Sequence, residues 1–268
     1  MNGVNKTLYI PLYGKAFVSQ KGIILSDKKA EEIWANQEIK LKAKSKSKWL
    51  AYYMGMRSAV FDDWLTQKLK EFDGGVVIHI GCGLDSRVLR VNSFNRKWYD
   101  LDFLEVINER KKYYNESKNY QMIAGDASEI SWLENIKESD IAFVVMEGVS
   151  MYLEDSKIKQ LFNSLGEQFE KVFVLMDCYT TFAAKMSKYK NPINEVGVTK
   201  VYGIDQPKLL EKGGVCFLQE LDMTPEKYIN ELNGLEKRYL KGYTLGGLPK
   251  SFISYTNTKR GKYAKSDR

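Results

Sequence analysis

The chain has 268 residues, 44% hydrophobic and 13% aromatic, enough to bury one sizeable core, so one large domain with extensions is expected. No apolar run reaches membrane-spanning length, the N-terminus lacks a basic-then-apolar signal, and Cys82, Cys178 and Cys216 form no C-x-x-C pair, which together point to a reduced, cytoplasmic protein with no membrane partner. The lone histidine, His79, lies within an apolar strand and excludes a His-rich metal site, while the net charge of +7 is spread out, with denser patches at 40–48 and in the tail, and reads as a solvated lysine-rich face rather than a nucleic-acid surface.

In chain order, residues 1–72 hold no strand of an α/β sheet and read as an N-terminal helical cap. Thr7 to Ala16 starts apolar and is interrupted by Pro11 and Gly14. Asp27 to Asn36 reads helical with Asp27 as N-cap, and Trp49 to Phe72 is a longer amphipathic helix. From Gly74 short apolar runs alternate with helical segments. Strands are predicted at Val76–Ile80, Lys97–Leu101, Tyr120–Ala124, Ile141–Met146 and Lys171–Met176, with helices at Leu84–Val91, Phe103–Tyr114, Ser131–Ile136 and Ser156–Phe169 between them. That alternation predicts an α/β fold, doubly wound around a mostly parallel sheet. Residues 179–206 break the pattern and are expected to form an inserted lid over a domain spanning 73–258. Helical patterns at Gln206–Lys212 and Pro225–Leu235 and strands at Val215–Leu221 and Phe252–Thr256 complete a seven-stranded sheet, and 259–268 is expected to be a disordered tail.

The chain is organised around Val76 to Arg87. An apolar strand stops at Gly81, a Gly-x-Gly turn follows, and a helical pattern takes over. A strand, glycine turn and helix start let backbone approach a nucleotide cofactor at the carboxyl end of a parallel strand. Acids then recur at the strand ends: Asp102, Asp126, Glu147 and Asp177. Asp102 stands about 20 positions past the glycines, where such folds hold ribose hydroxyls. A ring of acids is a poor match for a pyrophosphate. It suits S-adenosylmethionine, which carries a sulfonium, an ammonium, a ribose and an adenine. Ser86 also stands where the third glycine of the dinucleotide fingerprint would be.

Several blocks, taken in order, resemble the leucine carboxyl methyltransferase superfamily, in particular its bacterial branch named for the tetracenomycin polyketide O-methyltransferase. Gly81-Cys82-Gly83-Leu84-Asp85-Ser86-Arg87 resembles the signature G-x-G-x-D-[ST]-R. Thr7 to Ala16 is similar to the opening PLYxRA block, with Lys15 in place of arginine. Met56 to Asp62 resembles the RxxxFD helix, and Trp98 to Asp102 with Glu105-Val106-Ile107 resembles WYxLDLPEVI, with Leu104 in place of proline. Glu147 to Leu153 resembles EGVxMYL. The matches run from Lys6 to Leu153. The last third matches only loosely, and acceptor choice is expected to reside there.

The resemblance implies a class I, Rossmann-like methyltransferase fold. It implies that Arg57, joined by Lys15, grips the methionine carboxylate and that Gly81 and Gly83 pass beside the methionine portion. Asp85 would orient the loop or the ammonium, Asp102 would accept the ribose hydroxyls, Asp126 and the Ala127 amide would read the adenine edge, and Glu147 would lie near the ammonium or the acceptor. Plainer readings stand beside these: Asp85 as a helix N-cap, Asp126 as a turn residue, Arg57 as a surface ion pair.

The implied activity is in-line O-methylation of a carboxylate, phenol or hydroxyl of a small, polyketide-like molecule, with no metal needed. Lack of a free histidine base favours a carboxylate or an acidic phenol. Tyr13, Met151, Tyr179 and Tyr202 are the expected acceptor walls. Competing readings are a protein C-terminal carboxyl methyltransferase, a tRNA-hypermodifying enzyme, and a silent cofactor-binding scaffold.

Overall fold

The computed structural model describes residues 7–39, 41, 45–190, 201–245 and 251–258. Residues 40 and 42–44 of the basic stretch, the centre of the expected lid (191–200) and the tail (259–268) lie outside the described residues.

Three helices open the chain: α1 (Tyr9–Gln20), α2 (Lys28–Ala35) and α3 (Lys48–Glu71). The interruption expected at Pro11 and Gly14 does not occur, and α1 runs through both. Pro11 falls in the first turn, where backbone N–H groups have no intrahelical partner to lose. Gly14 is where α1 crosses α3: a Cβ there would stand 2.5 Å from Met54 Cβ, so only glycine allows this approach. Asp27 caps α2 as its position predicts, accepting the Ala30 N–H at 2.8 Å. The C-terminal end of α3 is closed by Arg96, which donates to the Leu69 carbonyl at 2.9 Å and to the Phe72 carbonyl. Orphan carbonyls at a helix end and a guanidinium are natural partners.

The strands are β1 (Val76–Ile80), β2 (Lys97–Asp102), β3 (Tyr120–Ala124), β4 (Ile141–Met146), β5 (Lys171–Asp177), β6 (Cys216–Asp222) and β7 (Ser251–Thr258). They form one seven-stranded sheet in the order β3-β2-β1-β4-β5-β7-β6. The first five pair in parallel, and β7 runs antiparallel to both β5 and β6. The fold class read from the alternation is the one observed. The central strands β1, β4 and β5 are almost continuously apolar because both faces of the sheet are covered there. Val77, Val145 and Leu175 pack towards α1 and α3 in one core, and Ile78, Val144 and Val174 pack in the other. The second core is closed by Ile158, Leu161, Phe162 and Leu165 of α6 (Asp155–Gln168).

The remaining helices are α4 (Arg87–Arg90), α5 (Leu104–Arg110), α7 (Thr181–Lys190), α8 (Glu226–Ile229) and α9 (Gly234–Leu245). Several differ from the sequence reading. Helix α4 starts at Arg87, not Leu84, because Gly81 and Gly83 both have positive φ and Asp85 accepts the Arg87 N–H at 2.8 Å. Pro225–Leu235 is two helices, with Asn233 accepting the Glu236 N–H at 3.0 Å to start the second. Part of the expected lid is helical, as α7. No helix among the described residues is long and apolar enough to cross a membrane.

Register places the site. Ile80 pairs with Leu101 on one side and with Met146 on the other, and Met146 pairs with Met176. Gly81, Asp102, Glu147 and Asp177 therefore leave the sheet in one row. β1 is where the strand order reverses, so a crevice opens at that row between the loops after β1 and β4.

Candidate active site

The crevice widens into a cavity of about 880 Å³ including its mouth. Its floor is the turn Gly81–Asp85. Its roof is α1, through Leu8, Pro11, Leu12 and Lys15, and α3 through Leu50, Met54 and Arg57. Glu147, Gly148, Met151, Tyr152 and Tyr179 close the third side.

The glycine turn is held by its neighbours. The Gly81 and Cys82 N–H groups both donate to the Leu101 carbonyl, at 2.8 and 3.1 Å. The Gly83 N–H donates to Asp102 Oδ2 at 2.8 Å, and the Phe103 N–H donates to Oδ1 at 2.8 Å. Arg110 Nη1 donates to the Gly83 carbonyl at 3.0 Å. Gly81 has φ +68°, and a Cβ there would stand 2.1 Å from Val149 Cγ2. The position therefore accepts only glycine.

Around this turn lies a buried ionic cluster. Arg57 Nε donates to Glu147 Oε1 at 3.0 Å and Nη1 to Asp177 Oδ2 at 3.2 Å. Arg87 donates to the other Glu147 oxygen and, through Nε, to Asp62 at 2.7 Å. Asp85 receives Lys15 Nζ at 2.9 Å and Arg90 Nη1 at 2.9 Å. Arg90 also reaches Asp27 and Asp62, so the cap of α2 is tied to the turn. Lys15, Arg57, Arg87 and Arg90 thus face Asp27, Asp62, Asp85, Glu147 and Asp177: four cations against five carboxylates.

These contacts set the ionisation. Burial pushes the Glu147 carboxyl up, but Arg57, Arg87 and Lys15 outweigh it and hold it down at about 2. Burial likewise opposes Asp85 ionisation, and Arg90, Lys15 and Arg87 overcome it, leaving the carboxyl well below its ordinary value. Burial, with the Glu147 charge, raises the Asp177 pKa against Arg57, the Gly148 N–H (2.7 Å) and its own backbone N–H. Burial raises Asp102 to about 6 despite the two backbone donors and Arg110. It lifts the Cys82 thiol well above its usual range. An excess of buried carboxylate fits a ligand that brings net positive charge, as a sulfonium with an ammonium does.

The sequence-chosen residues fall into three groups. Lys15, Arg57, Gly81, Gly83, Asp85 and Glu147 line the cavity, as do Met151 and Tyr179. Asp102, Asp126 and Ala127 stand beyond it along the same edge, at the ends of β2 and β3. Asp126 accepts the Ser128 N–H at 2.8 Å and so has the turn geometry of its plainer reading. Arg57 is no surface pair, being buried. Asp85 is not the N-cap of α4, which is Ser86; it accepts the Arg87 N–H from the preceding position and carries ion pairs. Tyr13 and Tyr202 are not on the cavity wall. Tyr13 packs its ring against Trp34, centroids 5.0 Å apart, and donates to the Lys46 carbonyl at 3.3 Å. Tyr202 donates its hydroxyl to Glu154 at 2.7 Å and its N–H to the Met151 carbonyl at 2.8 Å. Sequence reasoning missed Tyr152, Met54 and Leu8 as wall residues. Tyr152 stands next to Met151 in a quoted block and was within reach of that reading. Leu8 likewise lies in a stretch that carries the resemblance, Thr7 to Ala16, whereas Met54 carries no signal apart from helical spacing. Among the described residues no cluster is arranged to hold a metal ion.

Residues 5–166 match a family model described as leucine carboxyl methyltransferase. The tetracenomycin polyketide synthesis O-methyltransferase TcmP of Streptomyces glaucescens is 26% identical over 244 residues, covering 88% of this chain and 89% of that protein. The S-adenosyl-L-methionine-dependent methyltransferase dpfgK of Gibberella zeae is 23% identical, covering 79% and 78%. Among solved structures, magnesium protoporphyrin IX methyltransferase of Synechocystis with bound S-adenosylhomocysteine has a TM-score of 0.53 at 9% identity, covering 91% of this chain and 97% of that one. Geranyl diphosphate methyltransferase in complex with S-adenosylmethionine has a TM-score of 0.50 at 12% identity, covering 79% and 90%. These structures share the fold.

Proposed function

The chain belongs to the leucine carboxyl methyltransferase family and is an S-adenosylmethionine-dependent methyltransferase, and from that premise we propose that its acceptor is a small, largely apolar molecule methylated on an oxygen that arrives already ionised. A carboxylate fits best and an acidic phenol next. The observation that carries this is the state of the cavity's own acids. Glu147 and Asp85 are each held by two or more cations, and Glu147 stays ionised to about pH 2. His79 already accepts a guanidinium N–H. Neither is poised to take a proton from an alcohol at neutral pH. A carboxylate acceptor needs none removed.

When bound, the cofactor supplies a methyl group on a positively charged sulfur. In this reading Arg57 keeps Nη2, which makes no hydrogen bond among the described residues, for the methionine carboxylate, with Lys15 beside it. Asp102 has an acceptor lone pair left on each oxygen for the ribose hydroxyls, and Asp126 with the Ala127 amide takes the adenine edge. Leu8, Ile10, Pro11, Leu50, Met54 and Met151 exclude water and hold the acceptor in line. Tyr152 and Tyr179 line the wall beside it. The helices of the N-terminal cap supply most of the apolar wall. Likeness to a polyketide O-methyltransferase supports a flat, polyketide-like acceptor.

The test is transfer of a labelled methyl group to matched pairs of aromatic acids and phenols. The expected product is a methyl ester that mild base hydrolyses. A base-stable ether as the sole product would move the reading to a phenol, and label only on nitrogen or protein would overturn it.

A further inference from the structure

His79 is the chain's single histidine and sits in β1, buried along its whole length. Its side chain points to the α3 face, where an imidazole must find partners for its ring nitrogens. Nε2 stands 3.0 Å from Arg87 Nη1. A guanidinium only donates, so Nε2 carries the lone pair and the ring proton belongs on Nδ1. Nδ1 in turn lies 3.3 Å from Asp100 Oδ1, close enough for a charge contact but without hydrogen-bond geometry. A second ring proton would point an N–H at the guanidinium. Burial and Arg87 hold the ring's pKa below its ordinary value, against the pull of Asp100 and Asp85.

Each partner of His79 belongs to a different end of the site. Asp100 is paired with Arg110 and accepts the Tyr120 hydroxyl at 2.7 Å and the Trp98 indole N–H at 2.8 Å. Arg110 stacks 4.0 Å from the Tyr114 ring centroid and holds the Gly83 carbonyl. Arg87 holds Glu147, which Arg57 shares. A continuous run of polar contacts therefore passes beneath the site, from Gly83 through Arg110, Asp100, His79, Arg87 and Glu147 to Arg57. His79 is the uncharged link between its two ionic halves.

We propose that His79 is a positioning residue: a neutral imidazole, fixed as the Nδ1–H tautomer, that couples the Gly83 end of the cofactor site to the Arg57–Glu147 end. The inference rests on the cofactor lying against the Gly81–Gly83 turn. Coupling through such packed polar links amounts to roughly three- to thirtyfold in affinity.

The test uses the full chain with isotopically labelled histidine. One histidine gives one pair of ring nitrogen signals. The expected spectrum is that of the Nδ1–H tautomer, constant from about pH 6 to about pH 8, with both nitrogens shifting when S-adenosylhomocysteine saturates the protein. An Nε2–H tautomer, a ring that titrates in that range, or ring signals indifferent to bound S-adenosylhomocysteine would overturn the role. Calorimetry on the same sample separates the two ideas. Failure to bind S-adenosylhomocysteine would remove the cofactor placement and this inference with it, whereas binding without a ring response would remove only the role of His79. H79F is expected to weaken S-adenosylhomocysteine by roughly three- to thirtyfold, and H79N, which keeps a short polar side chain, to recover part of it. A folded H79F with unaltered affinity would overturn the proposal; if H79F does not fold, the ring spectrum of the native chain decides.

Discussion

Asp102 Oδ2 accepts the Gly83 N–H at 2.8 Å and so ties the acid at the end of β2 to the glycine turn at the end of β1. Burial raises this carboxyl to about 6, so it changes charge within an accessible range. Only its ionised form accepts freely from ribose hydroxyls. Cofactor affinity is therefore expected to fall as pH drops through about 6, and D102N to bind weakly with that pH dependence removed. Stability runs the other way. Between the ordinary aspartate value and about 6 the folded chain holds a proton that the unfolded chain releases, so this group's contribution falls as pH rises through that window. Calorimetry and thermal unfolding across pH 4.5–8 (roughly, from the linkage window) check both signs.

Arg57 joins Glu147 and Asp177 in a buried cluster. R57A leaves buried Asp177 without its cation and Glu147 with Arg87 as its remaining guanidinium partner, and a loss of about 3–5 kcal/mol is expected. R57K keeps the charge and loses the fork. It is expected to fold and to bind S-adenosylhomocysteine roughly tenfold more weakly or worse. A folded R57K with native affinity would refute the assigned carboxylate grip.

Gly81 combines a left-handed backbone with contact against Val149. G81A adds about 1–2 kcal/mol of backbone strain to the clash. The double variant G81A/V149A relieves the clash alone, so its melting temperature should lie between those of G81A and the native protein. Full recovery would show that the positive φ contributes nothing.

Arg96 closes α3 at the opposite end of the sheet from the glycine turn. R96M removes charge-assisted bonds to several carbonyls, and a loss of about 2–4 kcal/mol is expected. Its affinity for S-adenosylhomocysteine should be unchanged. A fall in affinity matching that of R57K would show the cavity to be sensitive to the far edge of the sheet.

Local chemistry made the sheet and its row of acids legible. Apolar runs ending at Gly81, Asp102, Ala124, Met146 and Asp177 fixed where parallel strands stop, and parallel register then brings those ends to one edge. The glycine turn was readable because φ and close approach are properties of the residue itself. Helix α1 was not. A proline and a glycine argue against a helix until the first-turn position of one and the packing of the other on α3 are known.

Partner choice lay wholly in tertiary structure. Nothing in the order of residues says that Lys15 meets Asp85, that Glu147 is shared by Arg57 and Arg87, or that Tyr13 and Tyr202 spend their hydroxyls away from the cavity. Ion pairs and hydrogen bonds depend on distances of a few ångströms between segments far apart in the chain, and those distances exist only once the sheet has been covered. The chain's own residues determined that a glycine turn would form at the end of β1, in a row with the acids that end its neighbours. Which side chains hold it, and the charge each carries there, was decided by what burial placed around them.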